Sequence, residues 1–228
     1  MTGLMPVAEN LWVAKKPFRR WGMPLESRMT VVRLHDGRLW LHSPVSPDPD
    51  LVGSVQRLGR VCDLIAPNRF HHLFAEDWRE LFPDARLFAA PGLPRKQRRV
   101  DFDGVLGPRP QDSWSFDLDQ QVLPGAPLLS EVLFFHHLSG TLIVTDLIAN
   151  VGPESPWGLR LWMKLNGAYG RPASTRMVRT LVHRPALART AMRDALGRWP
   201  VRRVICGHGA LFDDDGGPRL RQALAWLL

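Results

Sequence analysis

Cysteine is almost absent from this chain: of 228 residues only Cys62 and Cys206 carry a thiol. Two cysteines outside a Cys-x-x-Cys arrangement cannot build the disulfide framework of a small secreted scaffold. Both sit in apolar stretches, so buried free thiols in a reducing compartment are expected. Also missing is any run approaching the ~20 apolar residues of a membrane span. The opening stretch MTGLMPVAENLWVAKKPF has no charged head followed by an apolar core, the pattern a secretory signal needs. Together these absences make a cytoplasmic protein the expectation. No internal period repeats, which excludes a solenoid.

Charge of one sign is in short supply as well. Lys and Arg number 30 against 22 Asp and Glu, a net charge of +8. Such a balance can draw a chain to nucleic acid, anionic lipid or acidic substrates. Yet 26 of the 30 basic residues are Arg, a skew that an Arg-rich coding bias produces unaided. The densest run, Arg95-Lys96-Gln97-Arg98-Arg99, lacks the interleaved aromatics of a single-strand binder. Nucleic acid is therefore not the favoured partner. Hydrophobic residues at 45% and charged residues at 23% exclude wholesale disorder and coiled-coil rods. The length fits one domain over residues 1–228. Scattered Pro and Gly, 20 and 19 of them, suggest short elements joined by tight turns, hence an α/β or α+β fold.

Several elements are legible from pattern. Residues 29–42, MTVVRLHDGRLWLH, read as a hairpin, because Asp36-Gly37 supplies the positive φ of a tight primed turn. Apolar spacing through Leu51, Val55 and Leu58 predicts a helix, and VCDLIAP at 61–67 a buried strand stopped by Pro67. AEDWRELF predicts a second helix with acids in its first turn, and ARLFAAP another strand. Residues 92–127, rich in Pro, Gly and charge, are expected to be an irregular excursion. EVLFFHHLSGTLIVTDL at 131–147 predicts a hairpin with a carboxylate at its exit, and WGLRLWMKLNGA at 157–168 an unusually apolar helix within an insertion at 151–184. Pro185 opens a further helix, VRRVICGHG forms a late strand, and a helix over GPRLRQALAWLL closes the chain.

Three spots place a potential metal ligand just past a short apolar strand: His71-His72, Asp146 and His208. Strand ends fix side-chain direction, so one sheet edge can collect ligands from distant positions. Imidazole and carboxylate suit zinc, iron or manganese, and an open coordination position permits activation of water. Each residue has a plainer explanation. A single hydrogen bond satisfies a histidine, Asp146 could cap the segment after it, and His136-His137 at a hairpin turn are expected to be exposed.

The wording LHSPV at 41–45, APNRFHHLF at 66–74, SGTLIVTDL at 139–147 and ICGHG at 205–209 resembles the metallo-β-lactamase-like hydrolase superfamily over roughly residues 29–226, in the branch called domain of unknown function 4336. The resemblance implies an αββα sandwich. It aligns His71 and His72 with the last two positions of a His-x-His-x-Asp-His run, Asp146 with the hairpin Asp that bridges two metals, and His208 with the final His. Pro67 and Arg69 fall where that run has its first two histidines, and the middle Gly-His has no counterpart. The resemblance thus implies one surviving metal held by His71, His72, Asp146 and His208, with Glu131 and His136 as reserve ligands. His71 replaces an anionic ligand by a neutral one. The implied activity is metal-dependent hydrolysis of a small-molecule ester, thioester, lactone or phosphodiester, using one divalent ion, zinc ahead of iron and manganese, with Asp146 as the catalytic carboxylate. An inactive binding protein on the same fold is the rival, iron-based redox chemistry a third option, and a homodimer is compatible with the apolar helix.

Overall fold

The computed structural model describes residues 3–20, 22–213 and 215–228. Seven strands form the first sheet in chain order: β1 (Met5–Ala8), β2 (Leu11–Arg20), β3 (Met23–Arg33), β4 (Leu39–His42), β5 (Val61–Ala66), β6 (Arg86–Ala89) and β7 (Gly104–Val105). Neighbours from β1 to β4 are antiparallel, and those from β4 to β7 parallel. The parallel crossovers carry α1 (Pro49–Leu58) and α2 (Ala75–Leu81), with the single turn α3 (Leu93–Lys96) before β7. The second sheet has the order β11-β10-β9-β8, with β8 (Leu118–Val122), β9 (Val132–His136), β10 (Thr141–Ile143) and β11 (Arg203–Ile205). Between β10 and β11 lie α4 (Trp157–Leu165), α5 (Arg176–Leu181) and α6 (Pro185–Arg198), and α7 (Gly216–Ala223) follows β11.

The layering follows from the two-residue period of buried strands. On β9, Val132 and Phe134 join the core between the sheets, while Leu133 and Phe135 join the core beneath α6 and α7. The same alternation places Ile65 and Phe88 between the sheets and Leu64 and Leu87 under α1 and α2. Both faces of each central strand are covered, so these strands read as apolar runs. The product is the αββα sandwich.

Local chemistry explains the elements that matter for the site. Gly37 adopts φ +83 in the β3–β4 turn, where Asp36-Gly37 predicts it. The Asp48 side chain accepts from the Leu51 amide at 2.9 Å, capping α1 behind Pro49. Buried Trp78 on α2 donates its indole N–H to the Val45 carbonyl at 2.7 Å, which ties the loop after β4 to the helix layer.

Some expectations are corrected. His136 is buried, with Nδ1 bonded to Ser139 Oγ at 2.8 Å, because it ends β9 with the parity of Phe134 and its ring follows the inter-sheet core. His137, one residue on, is exposed as expected. Residues 92–127 are mostly irregular but include β8, which pairs with β9 along its whole length. Cys206 is buried, whereas Cys62 is only partly so. Among the described residues, no helix is long and apolar enough to cross a membrane.

Burial pushes the His136 imidazole down from 6.5 to about 4. The unfolded chain therefore takes up this proton first, so the stability of the neutral buried ring is complete above 6.5 and lost as pH falls toward 4. The unfolding free energy should drop over that window by up to about 3 kcal/mol from this group. His136→Gln should reduce the slope measured by urea unfolding at several pH values without abolishing it, because buried His42, which burial pushes down from 6.5 to about 3, contributes over the same window and below it.

Candidate metal centre

Four strand ends meet at one edge of the sandwich. The chain leaving β5 turns at Asn68, whose side-chain oxygen accepts from the amides of Phe70 at 2.8 Å and His71 at 2.7 Å. This Asx turn swings the His71 ring inward, where Nδ1 lies 2.8 Å from Ser43 Oγ at the exit of β4 and 3.5 Å from Ser27 Oγ on β3. Asp146 follows β10 and His208 follows β11. Glycines let these segments close up. A Cβ on Gly207 would come within 2.9 Å of the His71 ring, and Gly209 adopts φ +84 against the Asn150 carbonyl.

The three side chains converge tightly. His71 Nε2 and His208 Nε2 are 3.3 Å apart, and Asp146 Oδ1 lies 3.5 and 3.4 Å from them. None of the three exposes more than 14% of its side chain. A tetrahedral ion with bonds of about 2.0–2.1 Å separates its ligand atoms by about 3.3–3.4 Å. The triangle matches that edge, and two imidazoles with a carboxylate suit zinc, iron or manganese. Ring orientation agrees as well. His208 Nδ1 faces the Glu26 carbonyl at 2.7 Å and must donate to it, which in the neutral ring turns the lone pair of Nε2 toward the triangle. The residues present therefore fit a single divalent ion.

A buried polar layer fixes the three groups. Asn68 Nδ2 donates to Asp146 Oδ2 at 2.7 Å and to Thr145 Oγ1 at 2.9 Å. Glu131 accepts the amides of Thr145, Asp146 and Leu147 at 2.8 to 3.0 Å. Burial and the nearby Asp146 charge push the Glu131 carboxyl up to about 7, opposed by those three donors. Burial also works against the Asp146 charge, yet the His71 and His208 rings hold its carboxyl well below the usual range. Burial lowers His208, but the Asp146 carboxylate outweighs it and the net direction is upward. Buried Arg28 donates to the carbonyls of Cys206 and Gly209 on either side of His208, clamping that loop. Its own pKa is lowered by burial.

The structure thus unites His71, Asp146 and His208, the one group of three or more potential ligands found among the described residues. His72 lies outside this group, half-buried on the wall of the same cavity with Nε2 3.5 Å from Gln97 Nε2. Glu131 faces backbone amides. His136 sits at the opposite end of β9, beside the hairpin turn, so it is remote from the vacated position rather than near it. Asn68, Ser43, Arg28 and Glu26 escape sequence reasoning. Only Asn68 left a usable signal, the turn preference of Pro-Asn ahead of the histidines. The cavity over the triangle has a volume of about 190 Å³ and is walled by Phe18, Leu25, Phe70, Leu73, Phe74, Trp162 and Met177. The apolar helix α4 accordingly borders the site through Trp162.

Comparison with known proteins agrees with this architecture. A family model described as Domain of unknown function (DUF4336) matches residues 21–164. No curated protein matches the sequence. Among solved structures, a metallo-β-lactamase from Pontibacter korlensis shares 12% identity over 97% of this chain and 98% of its own, with a TM-score of 0.66. The metallo-β-lactamase FIM-1 from Pseudomonas aeruginosa in its mono-zinc form shares 11% over 98% and 94%, also at 0.66. The 1–254 fragment of a provisionally named diflavin flavoprotein A 5 from Nostoc sp. PCC 7120 shares 13% over 98% and 95%, again at 0.66. At these identities the likeness is one of fold.

Two glycine substitutions test the local account. Gly207→Ala should displace the His71 ring and weaken zinc binding about tenfold or more, as disturbed ligand orientation does, with little loss of thermal stability. Gly209→Ala should instead destabilise the fold by about 2 kcal/mol or more, because φ +84 and the Asn150 carbonyl leave no room for a methyl group. Calorimetric zinc titration and thermal unfolding distinguish the two effects.

Proposed function

The chain belongs to the family of the domain of unknown function DUF4336 and has the metallo-β-lactamase fold, and on that footing we propose that it is a metal-dependent hydrolase with one ion held by His71, Asp146 and His208. The observation that carries the proposal is the triangle of Nε2, Nε2 and Oδ1 at 3.3 to 3.5 Å on the floor of an apolar-walled cavity. When bound, a divalent ion, zinc ahead of iron or manganese, supplies the Lewis acidity that lowers the pKa of a water and polarises a substrate oxygen.

The chain's own residues supply the rest. Asp146 provides the one negative charge of the triangle, kept ionised by the two rings beside it. Its second oxygen, which the family resemblance would give to another metal, is taken by the Asn68 amide at 2.7 Å. That bond favours a mononuclear centre. His72, on the cavity wall, is placed to exchange a proton with substrate or water rather than to complete the triangle. Phe18, Leu25, Phe70 and Trp162 exclude bulk water and offer contacts to an apolar group. Among the described residues no Lys or Arg lines the cavity, which favours an ester, thioester or lactone over a phosphodiester. The free thiols Cys62 and Cys206 fit a reducing, cytoplasmic location.

A second reading has its own support. Pro67 and Arg69 stand where the superfamily has two ligands, so the fold could have become a binding protein whose ion is structural. Elemental analysis and an ester and thioester hydrolysis panel separate the two. Protein purified without chelator or His-tag should hold about one ion per chain. Asp146→Asn and His208→Ala should lose the ion and, with it, thermal stability. His72→Ala should keep the ion and lose most of any hydrolysis, while exposed His137→Ala should change neither. Retained metal with no turnover across the panel would favour the binding protein, and two ions per chain would overturn the mononuclear site.

A further inference from the structure

Helix α4 inverts the usual pattern of a surface helix. Trp157, Leu161 and Leu165, four residues apart, are 58%, 46% and 65% exposed. At about 100° per residue they form one stripe along the outer face. Arg160 and Lys164 flank the stripe on one side, and Trp162, on the other, lines the cavity over the metal triangle. Leu73, 45% exposed, lines the same cavity, so the apolar surface continues across its mouth. Leu159 and Met163 face inward and already anchor the helix in a small core with Ala149, Val151 and Ala168. The outer stripe is therefore not needed for folding.

The charge around this helix is equally one-sided. Residues 155–193 contain eight Lys and Arg and no Asp or Glu. The remaining 22 basic residues are matched by the 22 acidic ones, so the whole net charge of +8 resides in this segment. Among the described residues none of the eight is ion-paired with an Asp or Glu side chain, although Arg193 donates to the Leu228 oxygen. Exposed Arg176 at the start of α5 packs over Gly167, just beyond the end of α4, which brings basic charge to the end of the stripe as well as to its flank.

We propose that α4 docks the protein onto an anionic lipid surface, with Trp157, Leu161 and Leu165 entering the headgroup boundary and the basic residues of 160–179 contacting lipid phosphates. An apolar stripe bordered by Arg and Lys, with a tryptophan at one end, is the chemistry of an interfacial helix. Two other occupants fit less well. A second copy docking through this face would set two segments of +8 against each other. Nucleic acid would leave the three apolar side chains facing a polar, phosphate-lined partner. Docking in this orientation turns the cavity mouth toward the lipid, the source of an apolar acyl substrate. The docking itself does not depend on the site being catalytic.

Cosedimentation of the full chain with phosphatidylcholine vesicles, with and without phosphatidylglycerol, tests the proposal. The wild type should bind the anionic vesicles about tenfold more tightly than the neutral ones, and less so as salt is raised. Leu161→Asp should reduce anionic-vesicle binding about tenfold. Leu138→Asp, at an exposed leucine of the β9–β10 turn, should leave it unchanged, and both variants should keep the wild-type melting temperature. No pelleting with anionic vesicles would overturn the proposal, as would pelleting that Leu161→Asp leaves intact. A dimer seen by light scattering and abolished by Leu161→Asp, without vesicle binding, would make the stripe a self-association face. Duplex DNA binding equal to vesicle binding and insensitive to Leu161→Asp would reduce it to general polyanion attraction.

Discussion

The site depends on one buried carboxylate. Asp146 sits in an environment that disfavours its charge, and it stays ionised because His71 and His208 flank Oδ1 while the Asn68 amide donates to Oδ2. Asn68 and His71 follow β5 and His208 follows β11, so the ionised state of a single residue links β5, β10 and β11. Glu131 holds the turn that presents Asp146 by accepting three consecutive amides. The cost of burying a second carboxylate beside the first is offset by that set of backbone donors. On the proposed reading, an ion at the triangle would satisfy the same electrostatic demand.

Backbone proximity is the other requirement. His208 reaches the triangle only because Gly207 lets the His71 ring pass close by and Gly209 takes a positive φ beside Asn150. Arg28, buried on β3, pins the carbonyls on both sides of His208, and the Glu26 carbonyl orients its ring. The long β2–β3 ribbon therefore acts on the site in two ways, through these bonds and through Phe18 and Leu25 on the cavity wall.

Much of this was legible in the sequence wherever physical signals were local. The Asp36-Gly37 turn, the helix behind Asp48 and Pro49, and the apolar runs of β5, β6, β9 and β10 follow from period and turn chemistry. His71, Asp146 and His208 were visible because each follows such a run directly. The ribbon over residues 5–33 was largely invisible: only Leu11 and Val13 of β2 reach the inter-sheet core, and LWVAKKPFRR loses its alternation where the strand leaves it. His136 misled because adjacency to a turn suggests exposure, whereas strand parity carries its ring into the interior. The roles of Glu131 and Arg28, and the bond from Asn68 to Asp146, are set by contacts across 14 to 181 residues of sequence, and no local pattern encodes such a contact.

The central claim is that His71, Asp146 and His208 together hold one ion, with neither thiol taking part. X-ray absorption fine structure of the zinc-loaded protein measures this directly. The account predicts a first shell of nitrogen and oxygen only, at about 2.0–2.1 Å, with imidazole scattering from two histidines and no metal–metal vector. Sulfur in the first shell, which would bring in Cys206, or a second metal a few ångströms away would contradict it.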